Sequence, residues 1–380
     1  MLKETSIYIH IPFCDHKCIY CDFYSIITDD NVNSYLHSLK KEIEFYASEY
    51  AHDRKIISIF FGGGTPSLMK PDYINEIIQS VKKNFRLNDN AEITLETNPG
   101  TVDKKKLIDF KESGINRISI GIQSFNDEEL KFLTRIHDSK TAVRTIHNCK
   151  ESGFENISID LIFNLPKQTK EIWRANLTEA VNLPVNHISA YSLILERGTI
   201  LNKMVLDGKV KLQDDDYDAD LYEFTIDFLT RKGFAQYEVS NFAQPGFECI
   251  HNNTYWHHGD YLGFGTSAHS FAGGKRWWNC SSVKYYNSMI AKNNNAVINQ
   301  EQLSKNELLE EFVMLSLRSS GLDLTELENK YGQEWYNKNK SFVSKLLKEK
   351  VLFMVGNRIK LTARGFAICD EILINLKVPS

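Results

Sequence analysis

Short apolar runs alternate with amphipathic stretches through the first half of the chain. Ser6–Phe13 (SIYIHIPF) reads as a strand, and Asn31–Tyr50 places Val32, Tyr35, Leu36, Leu39, Ile43 and Tyr46 at helical spacing. Lys55–Phe61 (KIISIFF) is nearly continuous β-branched and aromatic, which suits a strand buried on both faces. Pro71–Phe85 is helical, with Pro71 suited to a first turn. The series continues with strands at Ala91–Asn98, Arg117–Ser124, Asn156–Leu165 and His187–Leu195. Helices fall between them at Asp103–Ser113, Thr141–Ser152 and Lys170–Leu183, and Gly114 and Gly153 mark two of the helix ends. Repeated β–α units predict an α/β fold with a parallel sheet covered by helices. Six such strands are fewer than the eight of a closed barrel, so a partial (β/α)6 TIM-like barrel is expected. An open doubly wound sheet is the alternative, but no Gly-rich dinucleotide fingerprint follows the first strand. Either architecture places chemistry at the C-terminal ends of the strands.

The pattern changes after Tyr217–Lys232, a further helix. Residues 239–300 are rich in Asn, His, Gly and aromatics, show little periodicity, and are expected to form a connecting segment after a core domain spanning 1–238. Residues 301–380 are expected to form a smaller α+β domain. There, Leu308–Leu317, Leu324–Tyr331 and Phe342–Lys350 have helical spacing, while Val351–Val355 and Arg358–Leu361 flank a Gly356-Asn357 hairpin turn. Helices followed by a hairpin resemble a winged helix.

With 380 residues, 42% hydrophobic and 25% charged, the chain has the composition of a globular protein of more than one domain. Its 45 basic and 49 acidic residues give a net charge of −4, so no basic excess points to nucleic acid, for the small domain or elsewhere. No apolar run is long enough to span a bilayer, and the start Met-Leu-Lys-Glu-Thr-Ser is no secretory signal. A cytoplasmic, reducing location is therefore expected, in which seven cysteines do not imply disulfides.

Three of those cysteines crowd together in Tyr8-Ile-His10-Ile-Pro12-Phe13-Cys14-Asp-His16-Lys-Cys18-Ile-Tyr20-Cys21. Three thiolates spaced CxxxCxxC at the end of a strand can ligate three irons of a cubane and leave the fourth open to an outside chelator. Zinc is the competing reading, with His10 or His16 completing a Cys3His set. Phe61-Gly62-Gly63-Gly64-Thr65-Pro66 ends the second strand, where glycines let backbone approach a ligand. It otherwise reads as a plain turn. Glu96 in ETNPG, Gln123 in GIQSFN and Asp160 in SIDLIFNLP stand at successive strand ends, and Arg135 follows Gln123. A carboxylate there can take ribose hydroxyls and an arginine can pair with a carboxylate, though each alone also fits a cap or a strand-end hydrogen bond.

CxxxCxxC after a first strand resembles the radical-SAM superfamily. YIHIPFC, FFGGGTPS, EITLETNPG, RISIGIQSFN and IDLIFNLPKQT resemble the anaerobic coproporphyrinogen III oxidase family across most of the chain. That resemblance implies a [4Fe-4S] cluster on Cys14, Cys18 and Cys21. It also implies an S-adenosylmethionine site lined by Tyr8, Tyr20, Gly63, Gly64, Thr65, Glu96, Gln123, Arg135 and Asp160, with Tyr20 placed to pack against adenine. One departure is Asn164-Leu-Pro, where the family often has Gly-Leu-Pro. The oxidase branch carries another cysteine two residues after the third, whereas this chain has Cys21-Asp22-Phe23 and so resembles the HemW-like heme-chaperone branch. His251-Asn-Asn-Thr-Tyr-Trp256 matches the HNxxYW motif associated with heme binding in that branch. His251 is then the candidate heme ligand, since imidazole is a good axial ligand; a histidine packed at a domain boundary is the plainer alternative. His257, His258 and His269 are candidates for a second ligand, and Tyr261-Leu-Gly263-Phe-Gly265-Thr-Ser-Ala-His269-Ser resembles the family's GxGxxAHS stretch. The resemblance implies heme as cargo, acceptor hemoproteins such as respiratory enzymes and a reducing electron donor as partners. Radical-SAM decarboxylation of coproporphyrinogen III is the alternative activity.

Overall fold

In a computed structural model describing residues 2–28 and 30–377, the alternation becomes one twelve-stranded sheet. Strands β1 (Lys3–Ile11), β2 (Arg54–Gly63), β3 (Arg86–Thr97), β4 (Arg117–Gln123), β5 (Asn156–Phe163) and β6 (His187–Ser192) pair in sequence order, all parallel. The crossovers carry α1 (Val32–Tyr50), α2 (Pro71–Asn84), α3 (Lys104–Glu112), the pair α4 (Asp127–Phe132) and α5 (Ser139–Glu151), and α6 (Lys170–Asn182). Helices α7 (Ile200–Leu206) and α8 (Asp215–Arg231) follow β6. The partial six-stranded barrel is present.

Its strands are amphipathic. Ile7, Ile9 and Ile11 of β1, Ile59 and Phe61 of β2, Ile118, Ile120 and Ile122 of β4, and Ile157, Ile159 and Leu161 of β5 point outward into the helices and belong to one continuous core. The alternate positions face the lumen and are polar: Ser6, Ser58, Glu92, Arg117, Ser119, Ser158, Asp160, His187 and Ser189. The run Lys55–Phe61 is therefore buried on both faces as expected, but its inner face carries Ser58 and Phe60. Strand β3 starts at Arg86, which pairs with Lys55 across a register shift, five residues before the apolar run that predicts it. Helix α4 is only six residues long, too short to show periodicity, and is set by Asn126, whose side chain caps the amides of Glu128 and Glu129.

Residues 239–300, expected as a connecting segment, are instead built into this sheet. After β7 (Ala235–Gln236) they supply β8 (Asn241–Ala243), α9 (Ile250–Trp256), β9 (Asp260–Phe264), β10 (His269–Ala272), β11 (Lys275–Asn279), α10 (Val283–Asn293) and most of β12 (Val297–Gln302). Strand β9 lies parallel to β1, β8 antiparallel to β6, so the segment adds strands to both edges of the barrel. Two buried contacts fix it. Arg54 reaches Asp260 at 2.5 Å. Glu42 of α1 accepts from the Gly265 amide, Asn279 Nδ2 and Tyr286 Oη at 2.6 to 2.8 Å. Burial pushes Glu42 up to about 7, against these three donors, which favour its ionised form. Such pairings join residues over 200 positions apart and leave no local periodicity in the sequence.

The last part of the chain forms a separate core. Helices α11 (Lys305–Leu317), α12 (Leu324–Tyr331) and α13 (Glu334–Lys348) pack on a three-stranded sheet of β13 (Leu322–Asp323), β14 (Leu352–Val355) and β15 (Arg358–Leu361), followed by α14 (Ala363–Ala367) and α15 (Cys369–Asn375). The hairpin turns at Gly356-Asn357 as predicted, while α13 begins eight residues earlier than its apolar spacing suggests because Trp335 is also buried. Residues 378–380 of the expected small domain lie outside the described residues. No helix among the described residues is long and apolar enough to cross a membrane.

Candidate functional site

The chain's chemistry collects at the C-terminal mouth of the barrel. Beyond β1 the cysteine loop folds back on itself, with the Ile26 amide donating to the Pro12 carbonyl and the Cys14 amide to the Ile26 carbonyl. The glycine loop after β2 is pinned under it, with Gly64 donating to the Ile11 carbonyl and Thr65 to the Phe13 carbonyl, both at 2.8 Å. This closeness explains the glycines. Gly63 has φ +109°, and a Cβ on it would lie 2.5 Å from the His10 ring; one on Gly64 would lie 2.6 Å from the Phe13 carbonyl oxygen.

Cys14, Cys18 and Cys21 line one wall of a cavity of about 160 Å³, and all three are free thiols. Gly63, Gly64, Thr65, Glu96, Gln123, Arg135, Asp160 and Tyr20 line the rest, so the structure brings together nearly every residue singled out at the strand ends. Arg135 is the hub. Its Nη2 donates to Asn98 Oδ1 and the Gly121 carbonyl, both at 2.7 Å, and its Nη1 lies 3.6 Å from Cys18 Sγ. Thr65 Oγ1 sits 3.2 Å from Cys14 Sγ and accepts from Asn98 Nδ2. Gln123 holds φ +69° at the end of β4, a strained conformation for a side chain other than glycine. Burial, with the Asp160 carboxyl nearby, pushes Glu96 up to about 8. Burial also raises Asp160, against the hydroxyls of Ser189 and Ser119.

Tyr8 and His251 lie deeper. They line a second chamber of about 190 Å³ toward the barrel floor, which shares Phe23, Gly63, Glu96, Ser119 and Asp160 with the first cavity. Arg117, Tyr191, Tyr255 and Asn252 also face it; Asn252 and Tyr255 belong to the HNxxYW motif, while Arg117 and Tyr191 did not stand out in the sequence. The signal for Arg117 and Tyr191 was present as the polar alternate positions of otherwise apolar strands. His251 is 1% exposed, with Nδ1 2.9 Å from Ser58 Oγ and Nε2 2.8 Å from Tyr255 Oη. As placed, neither nitrogen offers a lone pair to an iron outside. His257, His258 and His269 lie away from these cavities; His258 pairs with Glu311 at 3.1 Å and His269 stacks on Trp278.

His10 points away from the thiols, with Nε2 3.0 Å from the Tyr24 carbonyl and Nδ1 3.3 Å from Tyr8 Oη, which removes it as a zinc ligand here. His16 lies beside the cysteines with Nε2 3.4 Å from Thr134 Oγ1. Among the described residues no three His, Cys, Asp or Glu side chains, Cys14, Cys18 and Cys21 included, are grouped as a site that could hold a metal ion as placed. The fit to a cluster with one open iron and a zwitterionic chelator is better supported. Three soft thiols share one wall with an arginine beside them, and the buried Arg135 Nε and Thr97 Oγ1, in a residue lining the same cavity, have no hydrogen-bond partner in the protein. Asn164 has φ +60°, the left-handed conformation that asparagine tolerates best after glycine, so the departure from Gly-Leu-Pro preserves the turn.

Comparison with known proteins agrees with this geometry. Residues 8–178 match the radical SAM superfamily, and residues 303–368 match the HemN C-terminal domain. The chain is 35% identical over 372 residues to the heme chaperone HemW of Lactococcus lactis subsp. lactis (strain IL1403), covering 97% of this chain and 96% of that one. It is 34% identical to that of Bacillus subtilis (strain 168), covering 97% of each. Among solved structures, coproporphyrinogen III oxidase (HemN) from Escherichia coli, a radical SAM enzyme, superposes with a TM-score of 0.83 at 26% identity, covering 98% of this chain and 90% of that one. With cysteine loop, glycine cradle and both domains thus matched from end to end, the chain belongs to the HemW family of the radical SAM superfamily.

Proposed function

We propose that this chain is a heme chaperone that binds heme and hands it to acceptor hemoproteins, and that it carries a [4Fe-4S] cluster and S-adenosylmethionine at the barrel mouth. The observation carrying the proposal is the full-length likeness to heme chaperones, combined with Phe23 at the position where the oxidase branch has a further cysteine. Phe23 is 61% exposed and lines both cavities. Exposed Ile27 lies on the same loop and Ile136 next to Arg135, while Ile194 and Ile200 follow β6, where the Leu201 amide donates to the Ile19 carbonyl. This apolar rim suits a planar macrocycle or the surface of a hemoprotein.

Cys14, Cys18 and Cys21 would hold the cluster, which supplies an electron and an open iron for chelation when bound. Arg135 would place positive charge against a ligand carboxylate and beside the Cys18 sulfur. Gly63 and Gly64 would present backbone to the methionine end of the ligand. Glu96, Gln123 and Asp160 would take its hydroxyl and amino groups, and Tyr20 would pack on its base. Tyr8, deeper in the lumen, would border the ligand from below. The electron would come from an external donor, and a cytoplasmic location fits a reduced cluster.

The likeness to HemN favours a second reading, decarboxylation of coproporphyrinogen III, since the same barrel would serve it. One experiment separates the two. Anaerobically reconstituted protein with S-adenosylmethionine is given either heme and an apo-hemoprotein, or coproporphyrinogen III with a reductant. Transfer of heme without protoporphyrinogen formation supports the chaperone; the reverse result replaces it with the oxidase.

A further inference from the structure

The sequence HNNTYW folds as α9, and this short helix closes the N-terminal end of the barrel. The Glu92 carboxylate, buried in the lumen, accepts from the Ile250 and His251 amides at 3.2 and 3.1 Å and from Cys249 Sγ at 3.3 Å. A carboxylate thus satisfies amides at the start of the helix that would otherwise be orphaned in the core. On the other side of Glu92 lies Arg117 Nε, 3.8 Å away and equally buried.

The side chains of α9 then form a chain of hydrogen bonds through the barrel wall. Tyr255 Oη lies 2.8 Å from His251 Nε2, and His251 Nδ1 lies 2.9 Å from Ser58 Oγ. Ser58 Oγ donates to Ser6 Oγ at 2.7 Å, Ser6 Oγ is 2.7 Å from Thr254 Oγ1, and Thr254 Oγ1 donates to the Ile250 carbonyl. One direction satisfies every link. Because Ser58 spends its proton on Ser6, it must accept from Nδ1–H of His251, and Nε2 must then accept the Tyr255 proton. The path starts and ends on α9 and passes through β2 and β1. The imidazole also stacks on Phe60, with centroids 4.9 Å apart.

We propose that His251 is a positioning residue. As the neutral Nδ1–H tautomer it is the central link that holds α9 as the floor of the barrel, and any heme iron carried by this chain is ligated by another group. An unpaired lone pair is what an axial ligand needs, and this imidazole has none without breaking the chain. Freeing Nε2 would leave the Tyr255 hydroxyl without its partner. The proposal stands whether or not heme is the cargo.

The test compares H251Q with H251A. A glutamine amide can donate to Ser58 and accept from Tyr255, yet is a poor ligand for iron; alanine can do neither. Hydrogen exchange of the 250–256 amides is expected to be unchanged in H251Q and at least about tenfold faster in H251A, as the floor opens locally. Heme titrated into H251Q is expected to give the wild-type absorption and spin state, with Kd within about twofold. Wild-type heme showing a histidine-ligated low-spin signal that disappears in H251Q, with circular dichroism unchanged, would overturn the proposal. Equal exchange in H251A and wild type would also overturn it. A wild-type chain that binds no heme would defeat only the chaperone reading, and the exchange comparison would still decide the role of His251.

Discussion

At the floor of the barrel, Glu92 caps α9 and faces Arg117, and His251, Ser58, Ser6 and Thr254 pass hydrogen bonds from one to the next. At the mouth, the equally buried Arg135 Nε and Thr97 Oγ1 have no protein partner, and three thiols face open space. Both ends of the lumen are polar. The difference is that the carboxylate, imidazole and hydroxyls at the floor are consumed by the protein's own helix, with Arg117 Nε held there only by the Glu92 charge, while at the mouth the unpartnered groups border open space. A polar residue inside a barrel therefore says little until its partners are counted. His251 and Arg135 are both eye-catching in the sequence; only Arg135 keeps donors in reserve.

This contrast can be broken at either end, and the mouth should break hardest. Replacing Cys14, Cys18 or Cys21 by serine is expected to abolish iron and sulfide uptake on anaerobic reconstitution, with circular dichroism unchanged, because these thiols are half-buried around a cavity and support no core. Retention of a full iron complement by any of the three would remove that cysteine from the site.

At the floor, Glu92→Ala should cost about 3–5 kcal/mol in denaturant unfolding, the range for removing one partner of a buried ion pair. It leaves Arg117 facing no carboxylate at the floor and strands two amides of α9. A loss under about 1 kcal/mol, the worth of an exposed pair, would mean that α9 is held by something else.

Arg135→Gln should weaken S-adenosylmethionine binding, read by calorimetry on the reconstituted protein, by about 1.5–3 kcal/mol, or roughly ten- to a hundredfold, as one charge-assisted hydrogen bond is lost. Unchanged affinity would show that its free Nε is not reserved for the ligand.

An effect that vanishes near neutral pH and grows only as pH falls sharpens the floor. Burial, reinforced by the Arg117 charge, holds His251 down to about 3. The folded chain then refuses a proton that the unfolded chain takes up below about 6.5, so this contribution to stability is lost as pH falls through that value. Glutamine does not titrate. The stability of wild type relative to H251Q should therefore fall by up to about 1.4 kcal/mol per pH unit between pH 6.5 and about 4. Parallel pH profiles would place His251 in contact with water.

Much of the mouth was legible in the sequence because its elements are local. CxxxCxxC, GGGTP and the polar residues ending strands are short segments, and β–α repetition dictates that strand ends meet at one face. The floor was not legible, because it is assembled from residues far apart in the chain: Glu92 meets the amide of residue 251, and Ser6 meets Thr254. Strand β9 likewise earns its place only by pairing with β1, which no window of residues 239–300 could reveal. The lumen itself was half legible. In SIYIHI the serine, tyrosine and histidine occupy every second position, yet only a closed or nearly closed barrel gives those positions a common interior.

The most direct test of the account is anaerobic reconstitution with iron, sulfide and S-adenosylmethionine, followed by electron paramagnetic resonance of the reduced protein. The account predicts a [4Fe-4S] signal near four irons per chain that shifts when S-adenosylmethionine is added and no longer shifts in the Arg135→Gln variant at the same ligand concentration. A chain that takes up zinc on these cysteines and no iron, or a cluster whose signal ignores S-adenosylmethionine, would contradict it.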